Sequence, residues 1–270
     1  MKRLILATKS LAWREILRFV RQRSRVIGAF GTPIIFWLLI GSGVGRSFQA
    51  AGGYGSTHGY LHYFFAGTML MIVLFSAIFS TISIIEDRKA GFLQGVLVSP
   101  APTLALVLGK VLGGVFLATL QAMLFYLLAL GLGWSVGFVQ TAQVLFSVLV
   151  NAAVLTSLGY VMAWPMSSTQ GFHALMNVVL FPMWLLSGAL FPPEGATAWI
   201  RWIMYVNPLT YGLATLRHAV EGESPHLAWC EAVALKTGVS SLWITYLALI
   251  ILMALLIDIA LRQTRKTCRV

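Results

Sequence analysis

EDRKAGFLQGVLVSPAP, Glu86 to Pro102, separates two long apolar runs, and the class of the whole chain follows from how it is read. Two acids followed by two bases (Glu86, Asp87, Arg88, Lys89) cannot rest in hydrocarbon, so the segment faces the cytoplasm. Gly91 interrupts the helix that precedes it. Phe92, Leu93, Val96 and Leu97 then recur at i, i+1, i+4 and i+5, an apolar face on a helix of about one and a half turns. Ser99-Pro100 ends that helix, because the residue before a proline avoids the helical region. A short helix across the inner surface with exposed apolar side chains suits docking into a groove on a soluble partner. On periodicity alone, an inner loop resting on lipid fits equally well.

The flanking sequence supplies the membrane. Of 270 residues 59% are hydrophobic and 10% charged, where a soluble domain carries about a quarter charged. The apolar residues fall in blocks of the roughly 20 residues that a helix needs to cross a bilayer core about 30 Å thick. The ~10-residue alternation of a membrane β-barrel is missing. The expected class is therefore an all-α integral membrane protein, one domain over 1–270, with no internal repeat or low-complexity segment. Residues 1–25 form an amphipathic helix along the cytoplasmic interface, 26–262 a six-span bundle and 263–270 a basic tail. The expected spans are 26–44, 60–85, 103–132, 139–164, 171–190 and 242–261, with kinks at Pro33 and Pro182. Arg46 to Gly59 and GWSVG read as outer connections, and Pro165 to Gly171 as an inner one. In the N-terminal helix Leu4, Ile5, Leu11, Trp13, Ile16, Leu17 and Val20 recur at helical spacing, with Trp13 and Phe19 as headgroup anchors. The first apolar run follows a long basic helix and lacks a small-residue cleavage site, so no signal peptide is expected.

Six spans return both ends to one side. Fifteen of the nineteen Lys and Arg residues lie on that side, and Arg46, Arg201, Arg217 and Lys236 are assigned to outer loops. The bias makes both termini cytoplasmic and accounts for the net charge of +11 without nucleic acid. Cys230 and Cys268 fall on opposite sides, so neither a disulfide nor a metal site is expected.

Chemistry within the chain is limited. Gly109-Lys110 is followed by Val111, so the hydroxyl of a nucleotide-binding loop is missing. Ser187 in the fifth span has no histidine in the sixth span to pair with, which disfavours intramembrane proteolysis; His58, His62, His173, His218 and His226 lie near span ends. Lys110 and Asp258 fall close enough to the cytoplasmic face for their side chains to snorkel, so no ion path is marked. Gly109 and Gly113, on the third span, allow close helix approach. The expectation is of a chain that is not an enzyme, with no catalytic residue, metal or cofactor of its own.

Two motifs carry a resemblance. EDRKAGFLQGVLVSP is similar to the acidic–Arg–Glu–x–Gly–Thr…Leu…Ser-Pro segment of ABC-2 type transporter permeases. LLSGALFPPEGATAWIRWIMYVNPLTYGLATLRHAV resembles that family's signature after the fifth span, in which Phe-Pro leads through an aromatic helix to Asn-Pro-Leu-Thr-Tyr. Order, spacing and the six-span plan agree over nearly the full chain. Phe92 stands where threonine is common and Gln94 where an acid is common, differences that bear on which ATPase is accepted.

The resemblance implies a permease of the plasma (inner) membrane, a homodimer or paired with a paralogous permease, served by two copies of a cytoplasmic ATPase that hold ATP and Mg. It makes Glu86, Asp87, Arg88, Gly91, Phe92, Leu93, Val96, Leu97, Ser99 and Pro100 the ATPase-coupling segment. It makes Phe191, Pro192, Trp199, Trp202, Asn207, Pro208 and Tyr211 part of an outer gate, on re-entrant helices over 199–206 and 209–220. The implied mechanism is alternating access, the paired first, second and fifth spans opening an outward pathway. An aromatic-rich pathway without buried charge suits a hydrophobic or amphipathic compound (a drug, a lipid or a lipid-linked glycan), and the resemblance alone implies export. The alternative is a membrane anchoring or assembly factor that recruits a soluble protein without transport.

Overall fold

The computed structural model describes residues 2–50, 60–99, 102–131, 137–191, 196–221 and 241–267. Among them there are helices, turns and bends but no strand. In chain order the helices are α1 (Lys2–Arg21), α2 (Arg23–Ala50), α3 (Tyr60–Lys89), α4 (Phe92–Val98), α5 (Thr103–Gly131) and α6 (Phe138–Ala163). They continue as α7 (Thr169–Ala189), α8 (Ala198–Val206), α9 (Pro208–Glu221) and α10 (Ser241–Thr267). All of the GWSVG turn but Gly137, most of the loop before Tyr60, the polar segment 222–240 and both cysteines lie outside the described residues.

Among the described residues five helices are long and apolar enough to cross a membrane: α3, α5, α6, α7 and α10. In α2 the apolar stretch is the shorter Gly31–Gly43, within 28 helical residues. Three boundaries differ from expectation. The charged quartet 86–89 is the last turn of α3, α2 runs through Arg46 to Ala50, and the basic tail is helical to Thr267. In each case main-chain hydrogen bonding continues past the point where the side chains turn polar.

α3 is the axis of the bundle, packed against α2, α5, α6 and α9, and 89% of its most apolar window is buried within the chain. The second span, one of the three expected to open an outward pathway, is thus largely covered by its own chain. What lets neighbours close on α3 is small residues, which bring backbones together where lipid and protein are equally apolar. A Cβ on Gly114 of α5 would collide with Ser80 of α3 and Thr156 of α6. Gly114→Val is therefore expected to lower the thermal stability of the detergent-purified protein by about 1–3 kcal/mol. Gly43→Ala, where a Cβ meets nothing within 4 Å, should leave it unchanged.

α7 is broken twice. Pro182 has no N–H to return to the carbonyl four residues back, and a π turn, Met176–Leu180, precedes it. A second irregular turn, Leu185–Ala189, places Gly188 at φ +91°, a left-handed conformation that glycine adopts without steric cost. The freed Gly188 carbonyl accepts from Tyr63 Oη at 3.0 Å and from Arg217 at 3.3 Å. The kink thus lies beyond Pro182, toward the end of the helix.

Candidate functional site

Two groups of residues singled out above occupy opposite ends of α3. The segment 86–99 lies at its C-terminal end; at its N-terminal end Tyr60 donates to the Leu190 carbonyl at 3.0 Å. At 1.5 Å per residue the ends are about 40 Å apart. The structure does not bring them together.

At the first end, α3 stops where Gly91 takes φ +74°, and α4 starts at Phe92. The amides of Ala90 and Gly91 donate to Glu86 and Arg88 carbonyls at 2.9 and 3.2 Å. Ser99 closes α4 in an extended conformation, its Oγ donating to the Val96 carbonyl at 2.6 Å. The short helix is as expected from the sequence. Because an L-residue is disfavoured in the left-handed region, Gly91→Ala should lower the unfolding midpoint by the equivalent of about 1–2 kcal/mol. Gly91→Asn should lower it less, since asparagine tolerates that region.

The apolar face of α4 is oriented otherwise than expected. Leu93 is 2% exposed and joins the chain's own core, and Val96 packs against it. The residues left outside are Gln94, Gly95 and Val98, the last 88% exposed. Leu97 lies in the helix; Pro100 lies outside the described residues. The inward face fastens α4 to α3, so the surface available to a partner is the other one.

The charged residues form a cluster that sequence reading missed. Asp87, 1% exposed, accepts from Arg14 at 2.9 and 2.6 Å, from Arg18 at 2.6 Å, and from Lys110. Arg18 also reaches Glu86 at 2.8 Å. Lys110 bridges to Glu15 at 2.6 Å and to Ser83 Oγ at 3.1 Å, and Arg14 meets Glu15 at 3.3 Å. Among the described residues three cations face three carboxylates, so their charges balance. The hydrogen bonds to Asp87 raise the pKa of Arg14 above its ordinary value, against the opposing effect of burial. Lys110 does not snorkel: it is buried between α1 and α3. Asp258 is exposed and pairs with Arg262 one turn on, at 2.7 Å.

α1 reaches this cluster because α5 lets it approach. A Cβ on Gly109 would lie 2.6 Å from Leu11 Cβ, and one on Gly113 2.8 Å from Glu15 Cβ. The next contact one turn on is Phe19 with Leu117. The two helices thus run side by side in the same direction for about two turns. Phe19 is buried there and is not a headgroup anchor; Trp13 is exposed. Arg14 also stacks on the Phe92 ring, 3.6 Å from its centroid, which gives a physical role to the phenylalanine that stands where threonine is common. Arg88 donates to the carbonyls of Trp164 and Met166, just past α6, and lies over the Trp164 ring. One turn of α3 therefore ties together α1, α4, α5 and the end of α6.

At the other end, Asn207 caps α9: its Oδ1 accepts from Leu209 N at 3.0 Å, its Nδ2 donates to the Met183 carbonyl, and Pro208 opens the helix, the position where a missing N–H costs nothing. Tyr211 donates to the Tyr205 carbonyl at 2.8 Å. Trp199 and Trp202 lie on the exposed face of α8; Phe191 is partly buried, and Pro192 is outside the described residues. Arg217, assigned to an outer loop, is instead a buried residue of α9 with its guanidinium 4.2 Å from the Tyr63 ring centroid. Buried charge is thus present at both ends of α3, contrary to expectation.

The sequence profile described as ABC-2 type transporter matches residues 7–220. The chain is 27% identical over 136 residues to the probable multidrug ABC transporter permease YbhR of Escherichia coli strain K12. That match covers 50% of this chain and 36% of the relative, so it spans about a third of the relative's length. It is also 22% identical over 218 residues to the daunorubicin resistance ABC transporter permease protein DrrB1 of Streptomyces coeruleorubidus, covering 80% of this chain and 75% of that one.

Proposed function

The chain belongs to the ABC-2 type transporter family and is a multi-pass membrane protein, and from that premise we propose that it is the permease subunit of an ATP-driven exporter. It pairs with a second permease and with two copies of a separate cytoplasmic ATPase. In this reading α2 is the remaining span. Its 28 residues extend about 42 Å at 1.5 Å per residue, more than the bilayer core requires. Both termini face the cytoplasm, where the basic residues concentrate.

The observation that carries the proposal is α4, a short helix set on a left-handed turn at the end of α3, with Leu93 in the chain's core and Phe92 under Arg14, a member of the six-residue ion cluster that joins α1, α3 and α5. A helix held in that way moves only with the elements it is tied to. The ATPase grips Gln94, Gly95 and Val98, and its closure on ATP displaces the tied unit as one lever. α3 moves as the buried axis, and the pathway opens along the less covered α2 and α7. α8 and α9 close its outer end. ATP and Mg reside on the partner, and this chain makes or breaks no covalent bond.

The names of the two relatives, multidrug and daunorubicin resistance permeases, support a hydrophobic or amphipathic substrate. Drugs, lipids and lipid-linked glycans share that chemistry. The test is ATPase activity of the complex reconstituted in proteoliposomes. A transporter shows hydrolysis stimulated by a transported compound and accumulation of that compound on the far side. A recruiting or anchoring factor shows ATPase binding with neither.

A further inference from the structure

α1 has two apolar faces, and α5 covers one of them. Leu11, Glu15 and Phe19 lie toward α5. Leu17 is roughly 200° round the helix from Glu15, at about 100° per residue, with Trp13 and Val20 beside it. Trp13, Leu17 and Val20 are 59%, 39% and 58% exposed. That face points sideways, away from the bundle, and Arg14, on the edge next to it, is the residue that touches α4. A groove of about 450 Å³ runs along this edge, lined by Ser10, Trp13, Arg14, Leu17, Arg18 and Arg21.

We propose that this groove seats the headgroup of an anionic phospholipid of the surrounding leaflet. The charge of the helix is the first reason. α1 contains six basic residues and a single acid, Glu15, and that acid is buried in the ion cluster. Arg14 and Arg18 are balanced by Asp87 and Glu86. Lys2, Arg3, Lys9 and Arg21 are exposed on a helix that has no other acid to offer them. The second reason is the mixture of groups: an exposed indole and leucine beside guanidinium groups match the boundary between acyl chains and headgroups, whereas a water-facing surface would not keep Trp13 and Leu17 outward. Basic residues at such a surface each add about 1 kcal/mol of attraction to anionic lipid, or about fivefold in affinity. Arg21 is the base of the groove that the ion cluster does not use. The sidedness assumed for the helix rests on the permease reading above; the charge and the exposed face do not.

The test uses the full chain with Cys230→Ser and Cys268→Ser, carrying Leu17→Cys labelled with an environment-sensitive fluorophore, in neutral detergent. It is titrated with short-chain phosphatidylglycerol, with the matching phosphatidylcholine, and with inorganic phosphate. The expected result is saturable binding of phosphatidylglycerol, several-fold tighter than phosphatidylcholine, and no response to phosphate. Arg21→Gln should weaken the phosphatidylglycerol response about fivefold, and Arg21→Lys should restore most of it. Equal responses to the two lipids, an equal response to free phosphate, or an unchanged Arg21→Gln protein would each overturn the proposal. So would protection of the position 17 thiol by the ATPase subunit without anionic lipid, which would mean that protein covers the face. Co-purification of the ATPase with Arg21→Gln separates the two readings: a variant that keeps its ATPase but shows no lipid preference refutes only the lipid site.

Discussion

Lys110→Met is expected to destabilise the folded protein by about 3–5 kcal/mol, the usual cost of leaving a buried charge without its partner. Methionine preserves the length and most of the volume of the side chain, so packing is nearly unchanged. What is lost is the cation that Glu15 and Asp87 share, and two buried carboxylates then face two arginines, one of which, Arg18, also serves Glu86. The result should appear as a lower unfolding midpoint in detergent and a smaller yield of monodisperse protein. The double variant Lys110→Met with Glu15→Gln restores neutrality and should be more stable than Lys110→Met alone, a coupling between contacting residues that additivity would not give. If Lys110→Met unfolds like the wild type, the lysine contributes only its methylenes and the cluster is not what fixes α1 to α3.

Val98→Asp and Leu93→Asp should fail in different ways. Val98 is almost fully exposed and Leu93 almost fully buried, on the same two-turn helix. The carboxylate at position 98 remains hydrated in the isolated permease, so insertion and thermal stability stay at wild-type values. In the complex it must be dehydrated against the ATPase, and co-purified ATPase is expected to fall at least about tenfold, equivalent to about 1.4 kcal/mol. Leu93→Asp places a charge in the chain's own core, where an unpaired carboxylate is strongly unfavourable, and should reduce folded protein before any partner is involved. Reading α4 from periodicity alone gives the reverse ranking, because spacing identifies a face without saying which side of it the rest of the chain occupies.

The same limit explains what was and was not legible. Helix after helix could be read from apolar block length, and the turn at Gly91 and the stop at Ser99 from residue chemistry. The burial of each block could not. α10 is the more apolar of the pair α3 and α10, yet it is the less covered, because lipid and protein interior are equally apolar solvents. The discriminating residues are small and polar: Ser76, Ser80, Thr81 and Ser83 lie buried along two turns of α3, whereas the buried threonines of α10, Thr245 and Thr264, stand nineteen residues apart near its two ends. The ion cluster was hidden by separation along the chain, since Arg14 and Asp87 are 73 residues apart. Signals for it existed. Arg14 and Arg18 share a helix face, Glu15 is the one acid of α1, and Lys110 is the sole Lys, Arg, Asp or Glu between Lys89 and Glu194. A lone lysine in so long an uncharged run calls for a partner as much as for a route to water. Arg217 was misplaced because the charge count set the whole stretch between the fifth and sixth spans outside the bundle, although 209–220 was read as a helix; Asn207, which caps that helix, also holds it against α7.

Whether α4 is the handle by which a separate ATPase moves this permease can be measured with one cysteine. In the background lacking Cys230 and Cys268, Val98→Cys is treated with a membrane-impermeant maleimide in intact cells and in inverted vesicles, with and without the ATPase. Labelling in inverted vesicles alone, suppressed when the ATPase is bound, is the outcome expected here. Labelling in intact cells, or labelling in vesicles that the ATPase does not suppress, would contradict it.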